Sequence, residues 1–266
     1  NCSCYCSVRD ILVEKKTGRE KFEQRVVQIV NSYFDGILVH ADPKIIRLDE
    51  TFGRLGDLHT PLHYTGFVTK PAPETQGDRE RIRRKLALSP ATKLIVASIG
   101  GGNVGSELLE ATVQAFNILK KSLPAHLQLF CGPYCDDKIY KALQNNSQDN
   151  ITIDRFTDYF PAWLAAADLS ISMAGYNTCM NLLQAGIPAL VYPFKQNREQ
   201  RLRADRLGHK APIAIIEETD LTPHLLSTRI VQQLESPRLS TDINLSGAEE
   251  TARQLEFWSL EQGIHD

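Results

Sequence analysis

From Lys93 to Ile216 the chain alternates between short apolar runs and longer amphipathic stretches, and this rhythm narrows the possible folds more than any other feature. The apolar runs are Lys93 to Ser98, Leu127 to Cys131, Ile151 to Ile153, Leu169 to Ser172, Ala189 to Tyr192 and Ile213 to Ile216. Their lengths suit strands rather than helices. Most are continuously apolar, as a parallel strand covered on both faces must be. Between them, Leu109, Val113 and Phe116 share a helical face, as do Ile139 and Leu143, and later Leu221, Leu225, Ile230 and Leu234. Strands alternating with helices predict an α/β fold with a doubly wound parallel sheet.

The segment before Lys93 is organised differently. Phe22, Val26, Ile29, Val30 and Tyr33 outline an amphipathic helix, Gly36 to His40 a strand, and His63 to Val68 a second strand. Thr69 to Asp78 is polar and rich in proline, which reads as a linker. The expected organisation is a partial N-terminal α/β domain over 1–75, a Rossmann-like domain over 76–247, and a last helix within 248–266 that could reach the N-terminal part. About two βα units make a thin core. Together with Asn1 in place of an initiating Met, they suggest the tail end of a longer N-terminal domain.

Charge and cysteine content exclude several classes. A net charge of −2 gives no electrostatic reason for a nucleic-acid partner. No apolar run approaches the ~18 residues of a spanning helix, and no secretory signal is visible, so a cytoplasmic location is expected. Cys2, Cys4 and Cys6 alternate along an extended segment, while Cys131 and Cys135 stand apart from them, as does Cys179. Without a second ligand group, free thiols are the simpler reading and no metal or cofactor is called for.

Three turns carry the candidate chemistry. The first, Ile99 to Gly105, follows a strand and opens a helix, so Gly101, Gly102 and Asn103 can bring backbone N–H groups to an anion. Gly100, Gly102 and Gly105 also satisfy a dinucleotide pattern, but the acid expected at the end of the second strand is missing. A tight βα turn is the competing explanation. The second turn, Ala174 to Thr178, follows the fourth strand. A reversal of strand order between the first and fourth strands would set it beside the first turn, at the carboxyl ends where open α/β sheets bind ligands. Gly175 then permits close approach, and Tyr176, Asn177 and Thr178 open the helix; simple N-capping by Asn177 or Thr178 is the alternative. The third segment, Tyr192 to Gln200, supplies Arg198 for a phosphate and Glu199 and Gln200 for sugar hydroxyls, or else begins a solvated helix.

The run from Phe156 to Gln200 resembles the C-terminal, donor-binding domain of glycosyltransferase family 28. It does so through Asp168 to Ser172, Gly175 to Thr178, the Gly186-Ile187-Pro188-Ala189-Leu190 string and Arg198-Glu199-Gln200. Val8 to Leu12, Leu38 to Pro43 and Tyr64 to Val68 extend the similarity to a group of bacterial glycosyltransferases over nearly the whole chain. The resemblance implies a GT-B architecture, in which the missing part of the N-terminal domain would hold the acceptor side, and transfer of a sugar from a nucleotide diphosphate sugar, UDP-linked in kind, to an acceptor hydroxyl with inversion. It implies that Gly175 to Thr178 meet the diphosphate or sugar, that Arg155 and Phe156 lie near the base, that Gln200 lies near the donor sugar or ribose, and that Gly101 and Gly102 line the cleft. One position departs from the pattern: Asn181 stands where the family usually has a Glu that holds the ribose hydroxyls. The general base is not identified by any motif; His40 ends a strand, but a structural role for it is the stronger reading. The competing functions are a non-catalytic nucleotide-sugar-binding subunit paired with a separate acceptor domain, a nicotinamide-dependent oxidoreductase built on Gly100, Gly102 and Gly105, and an epimerase of the same architecture.

Overall fold

The computed structural model describes residues 2–12, 17–70 and 75–263. The chain divides into two compact units. The first comprises residues 1–69, 197–199 and 242–266, and the second residues 70–196 and 200–241.

The first unit contains a three-stranded parallel sheet in the order β1-β2-β3, formed by β1 (Tyr5–Val8), β2 (Gly36–Val39) and β3 (Leu62–Tyr64), with α1 (Arg19–Tyr33) connecting β1 to β2. Ile37, Leu38 and Val39 are buried, as the continuous apolar run requires. The C-terminal helix Gly247–Gly263 packs on this sheet: Trp258 stacks on Tyr5 with ring centroids 5.2 Å apart. A Cβ at Gly36 would lie 2.6 Å from the same indole, so glycine makes room for the tryptophan. Upstream of that helix, Asn244 N donates to Asp42 Oδ2 (2.9 Å) and Phe67 N donates to Asn244 O (2.8 Å). The strand expected over His63 to Val68 is confined to Leu62–Tyr64, because beyond Tyr64 the backbone turns to meet this returning segment.

The second unit is a six-stranded parallel sheet, and its strands fall almost where the apolar runs place them. The helices are α2 (Thr75–Lys85), α3 (Ser106–Leu119), α4 (Asp137–Gln144), α5 (Phe160–Ala166), α6 (Tyr176–Ala185), α7 (Arg198–Gly208) and α8 (Pro223–Leu234). The strands are β4 (Lys93–Ser98), β5 (Ala125–Phe130), β6 (Ile151–Asp154), β7 (Leu169–Met173), β8 (Ala189–Tyr192) and β9 (Ile213–Ile215), in the order β6-β5-β4-β7-β8-β9. The chain therefore winds outward from β4 in one direction and, after β6, returns to the other side of β4. That reversal puts the ends of β4 and β7 side by side. Leu109, Val113 and Phe116 of α3 and Leu226 and Ile230 of α8 share a core with Ile95, Leu127 and Ile171 of the sheet. Burial of a large aliphatic side chain stabilises by about 1.5–3 kcal/mol, so this alternating pattern defines the fold energetically.

Two differences from the sequence expectation have clear causes. The expected linker from Thr69 to Asp78 gives way to α2 at Thr75; residues 71–74 lie outside the described residues. This helix is hard to see in the sequence because arginines anchor it. Arg79 Nη1 donates to Ala166 O (2.9 Å), Arg79 and Arg83 both pair with Asp168, and Ile82 is buried. Strand β5 begins at Ala125, two residues early, because two polar residues on it find partners on β6. His126 Nε2 lies 3.0 Å from Thr152 Oγ1, and Gln128 Nε2 donates to Asp154 Oδ2 (2.9 Å).

His126 makes a pH prediction. Burial lowers its pKa below the ordinary 6.5, so the folded chain holds it neutral where the unfolded chain would protonate it. The unfolded state then binds more protons below pH 6.5. Stability is full above that value and declines as pH falls through the lowered one. The urea midpoint of the wild type is expected to fall between pH 7 and pH 5.5, and less so for His126→Gln. Equal slopes would remove His126 as a source of acid sensitivity.

Candidate functional site

A cavity of about 410 Å³ opens in the second unit at the carboxyl ends of the strands. Its wall is built from consecutive βα turns. Ser98, Gly100 and Gly101 come from the end of β4; Phe130, Gly132 and Pro133 from the end of β5; Arg155, Phe156 and Thr157 from the end of β6. Asn177, Thr178 and Asn181 come from α6, which follows β7, and Lys70 and Phe160 complete the wall. The strand reversal between β4 and β7 is what gathers the first glycine turn and α6 into one wall.

The turns hold one another through their backbones. Tyr134 N donates to Gly101 O (2.9 Å), and Gly132 N donates to Arg155 O (2.7 Å). Gly100, Gly102 and Gly105 all have left-handed φ, at 68°, 95° and 95°. A Cβ at Gly102 would stand 2.6 Å from Cys131 O and 2.7 Å from Cys135 N, and one at Gly105 would meet Met173 Sδ at 2.9 Å. Two of the three glycines in the dinucleotide pattern are thus required by the protein's own packing.

The glycine before α6 differs. Gly175 has φ −66° and ψ 152°, which any residue adopts, and a Cβ there would find nothing nearer than Thr178 Oγ1 at 4.0 Å. It is the N-cap of α6 and brings no side chain to cap the helix. Neither Asn177 nor Thr178 takes the cap position; both lie inside the helix and line the cavity. First-turn amides of a helix lack intrahelical acceptors and favour an anion.

Two cations face the same space, Lys70 and Arg155. The Arg155 guanidinium is fixed in place: Nη1 donates to Cys135 O (2.8 Å), Nη2 pairs with Asp137, and the group lies 4.3 Å over the Tyr140 ring. Phe156 is 55% exposed at the rim, while Phe130 is buried against Trp163 at 5.3 Å.

Of the residues singled out in the sequence, Gly101, Arg155, Phe156, Asn177, Thr178 and Asn181 line this cavity. Gly102, Asn103, Gly175, Tyr176, Arg198, Glu199 and Gln200 are not among its lining residues. Tyr176 is buried, with the Arg203 guanidinium 5.6 Å from its ring centroid and Arg203 Nη1 bonded to Ala174 O (3.1 Å). Gln200 Oε1 accepts from Phe194 N (2.9 Å) and so shapes the turn between β8 and α7. Arg198 and Glu199 are grouped with the first unit, and Glu199 Oε2 is buried without a hydrogen-bond partner among the described residues. Ser98 and Phe130 escaped notice although they end their strands, a position that is itself a signal. Lys70 and Thr157 carried none.

In the first unit, His40 follows β2. Its Nε2 lies 2.7 Å from Ser7 Oγ and its Nδ1 2.9 Å from Thr65 Oγ1, so the ring ties the ends of three strands together. Burial lowers its pKa. Cys131 and Cys135 are buried, and burial followed by the hydrogen bond between them pushes the Cys131 thiol up to about 12. Among the described residues no helix is long and apolar enough to cross a membrane.

In parallel α/β sheets of this kind, ligands bind at the carboxyl ends of the strands where their order reverses, which is where this cavity lies. The model of the glycosyltransferase family 28 C-terminal domain matches residues 96–255, and the chain belongs to that family. An uncharacterized glycosyltransferase of Methanopyrus kandleri is 20% identical over 87% of this chain and 64% of its own length. The UDP-N-acetylglucosamine–N-acetylmuramyl-(pentapeptide) pyrophosphoryl-undecaprenol N-acetylglucosamine transferase of Vibrio parahaemolyticus is 31% identical over 47% of this chain and 38% of its own. Among solved structures, the glycotransferase of kitacinnamycin superposes with a TM-score of 0.57 at 18% identity, covering 85% of this chain and 62% of that one. The fold is accordingly of the GT-B glycosyltransferase type. The chain spans less than two thirds of the length of these relatives.

Proposed function

We propose that the protein is a glycosyltransferase that moves a sugar from a nucleoside diphosphate sugar to an acceptor hydroxyl, and that the cavity of the second unit receives the donor. The observation that carries this reading is the union, in one cavity, of the first turn of α6, the first glycine turn and two cations, Lys70 and Arg155. Family membership and the UDP in the name of the Vibrio relative support a uridine donor.

In this reading the diphosphate sits at the start of α6, where Gly175 allows the backbone to approach. The acceptor oxygen attacks the anomeric carbon as the bond to the diphosphate oxygen breaks, with inversion. The acceptor proton passes to a general base, and the bonding pair leaves with the diphosphate. The α6 amides and the Arg155 guanidinium, held in place before the reaction, stabilise that departing charge without reorganising.

Calorimetric titration with a UDP-sugar and with NADH tests the reading. The UDP-sugar is expected to bind and NADH is not, and Arg155→Met is expected to weaken the UDP-sugar by about tenfold, the loss of one charge-assisted contact. Binding of NADH alone would return the oxidoreductase reading. Sugar transfer by this chain to any member of an acceptor panel would dismiss a purely binding role.

A further inference from the structure

The donor cavity has an unusual chemical gap. Among the described residues its only charged lining residues are Lys70 and Arg155, and none of the lining residues carries a carboxylate. A carboxylate is the side chain best suited to a sugar diol, because it accepts two hydrogen bonds with charge assistance. Along α6 the polar residues facing the cavity are instead Asn177, Thr178 and, one turn further on, Asn181. A helical turn rises 5.4 Å. With a diphosphate at the first turn of α6, Asn181 is the polar side chain of the next turn that a pentose lying along the helix would meet.

Resting on the donor-site reading above, we propose that this cavity accepts 2′-deoxyribonucleoside diphosphates about as well as ribonucleoside diphosphates, and that Asn181 is the residue that makes it permissive. Discrimination against a missing hydroxyl is large only when the protein group that bound it is left buried and unpaired. Asn181 is partly exposed. When the 2′-hydroxyl is absent, water reaches the amide and takes its place. What is lost is one neutral hydrogen bond, worth about tenfold at most, against about a hundredfold for a bond to a carboxylate.

Matched pairs test this by calorimetry on the full chain: UDP with 2′-deoxy-UDP, ADP with 2′-deoxy-ADP, and GDP with 2′-deoxy-GDP. The pair containing the tightest ligand is the one read. Its two affinities are expected to agree within about tenfold, and Asn181→Glu is expected to widen the gap in favour of the ribonucleotide by about a further tenfold. A wild-type preference for the ribonucleotide beyond tenfold overturns the proposal even where the variant does not fold. A folded Asn181→Glu variant with an unchanged ratio overturns the role of Asn181. Failure of every pair to bind is a different result: it removes the nucleotide site itself and this inference with it.

Discussion

Leucine in place of Gly175 is expected to leave the second unit folded and to weaken nucleoside diphosphate binding by about a hundredfold or more. The folding half of this result follows from the backbone. At φ −66° and ψ 152° a side chain meets no torsional penalty, and the nearest atom to a Cβ is Thr178 Oγ1 at 4.0 Å. Nothing in the protein itself requires glycine there. The binding half follows from the position. Thr178 lines the cavity, and the residue before Tyr176 stands in front of the first-turn amides of α6. A branched side chain at that point holds a diphosphate away from the helix end. Two charge-assisted hydrogen bonds lost at about 1.5 kcal/mol each amount to about a hundredfold. Alanine, with one added carbon, is expected to fall between glycine and leucine. Thermal melting and calorimetry on the same preparations separate the two halves. A leucine variant that melts normally and still binds with wild-type affinity would move the diphosphate elsewhere.

The same comparison shows what the sequence revealed and what it concealed. The sheet of the second unit was legible because strands buried on both faces are apolar without interruption, as in Leu94 to Ala97 and Ala189 to Val191. The position of the cavity followed from supposing a reversal of strand order between the first and fourth strands, which the observed order β6-β5-β4-β7-β8-β9 contains. What escaped were elements held by polar chemistry. Helix α2 depends on arginines bound to Asp168 and to backbone carbonyls, and no hydrophobic period announces such bonds. The start of β5 is hidden by His126 and Gln128, whose partners lie on another strand. Lys70 reaches the cavity by the path of the chain rather than by any motif. Glycines were the most ambiguous letters. Gly101, Gly102 and Gly175 look equivalent in the sequence, yet their surroundings give them different reasons to be glycine.

Gly102 is the opposite case to Gly175, and Gly102→Ala is expected to lower stability by about 3 kcal/mol or more. Its φ of 95° is left-handed, which costs a residue with a Cβ about 1–3 kcal/mol. The Cβ would also stand 2.6 Å from Cys131 O and 2.7 Å from Cys135 N, which are backbone atoms and cannot swing aside as a side chain would. The opposing turn is equally constrained, since a Cβ at Gly132 would meet Gly100 O and Gly102 N at 2.5 Å. The two turns interlock backbone against backbone, so relieving one contact moves both. With an unfolding slope of about 3 kcal/mol per molar, the urea midpoint should fall by about 1 M. Nucleotide affinity should fall as well, because Gly100, Gly101, Gly132 and Pro133 all belong to the displaced wall. An alanine variant that keeps the wild-type midpoint but no longer binds would mean that Gly102 serves a ligand directly, as in a dinucleotide site. Loss of stability and affinity together, set against loss of affinity alone at Gly175, would divide the glycines of this cavity into those that build it and those that leave room for its occupant.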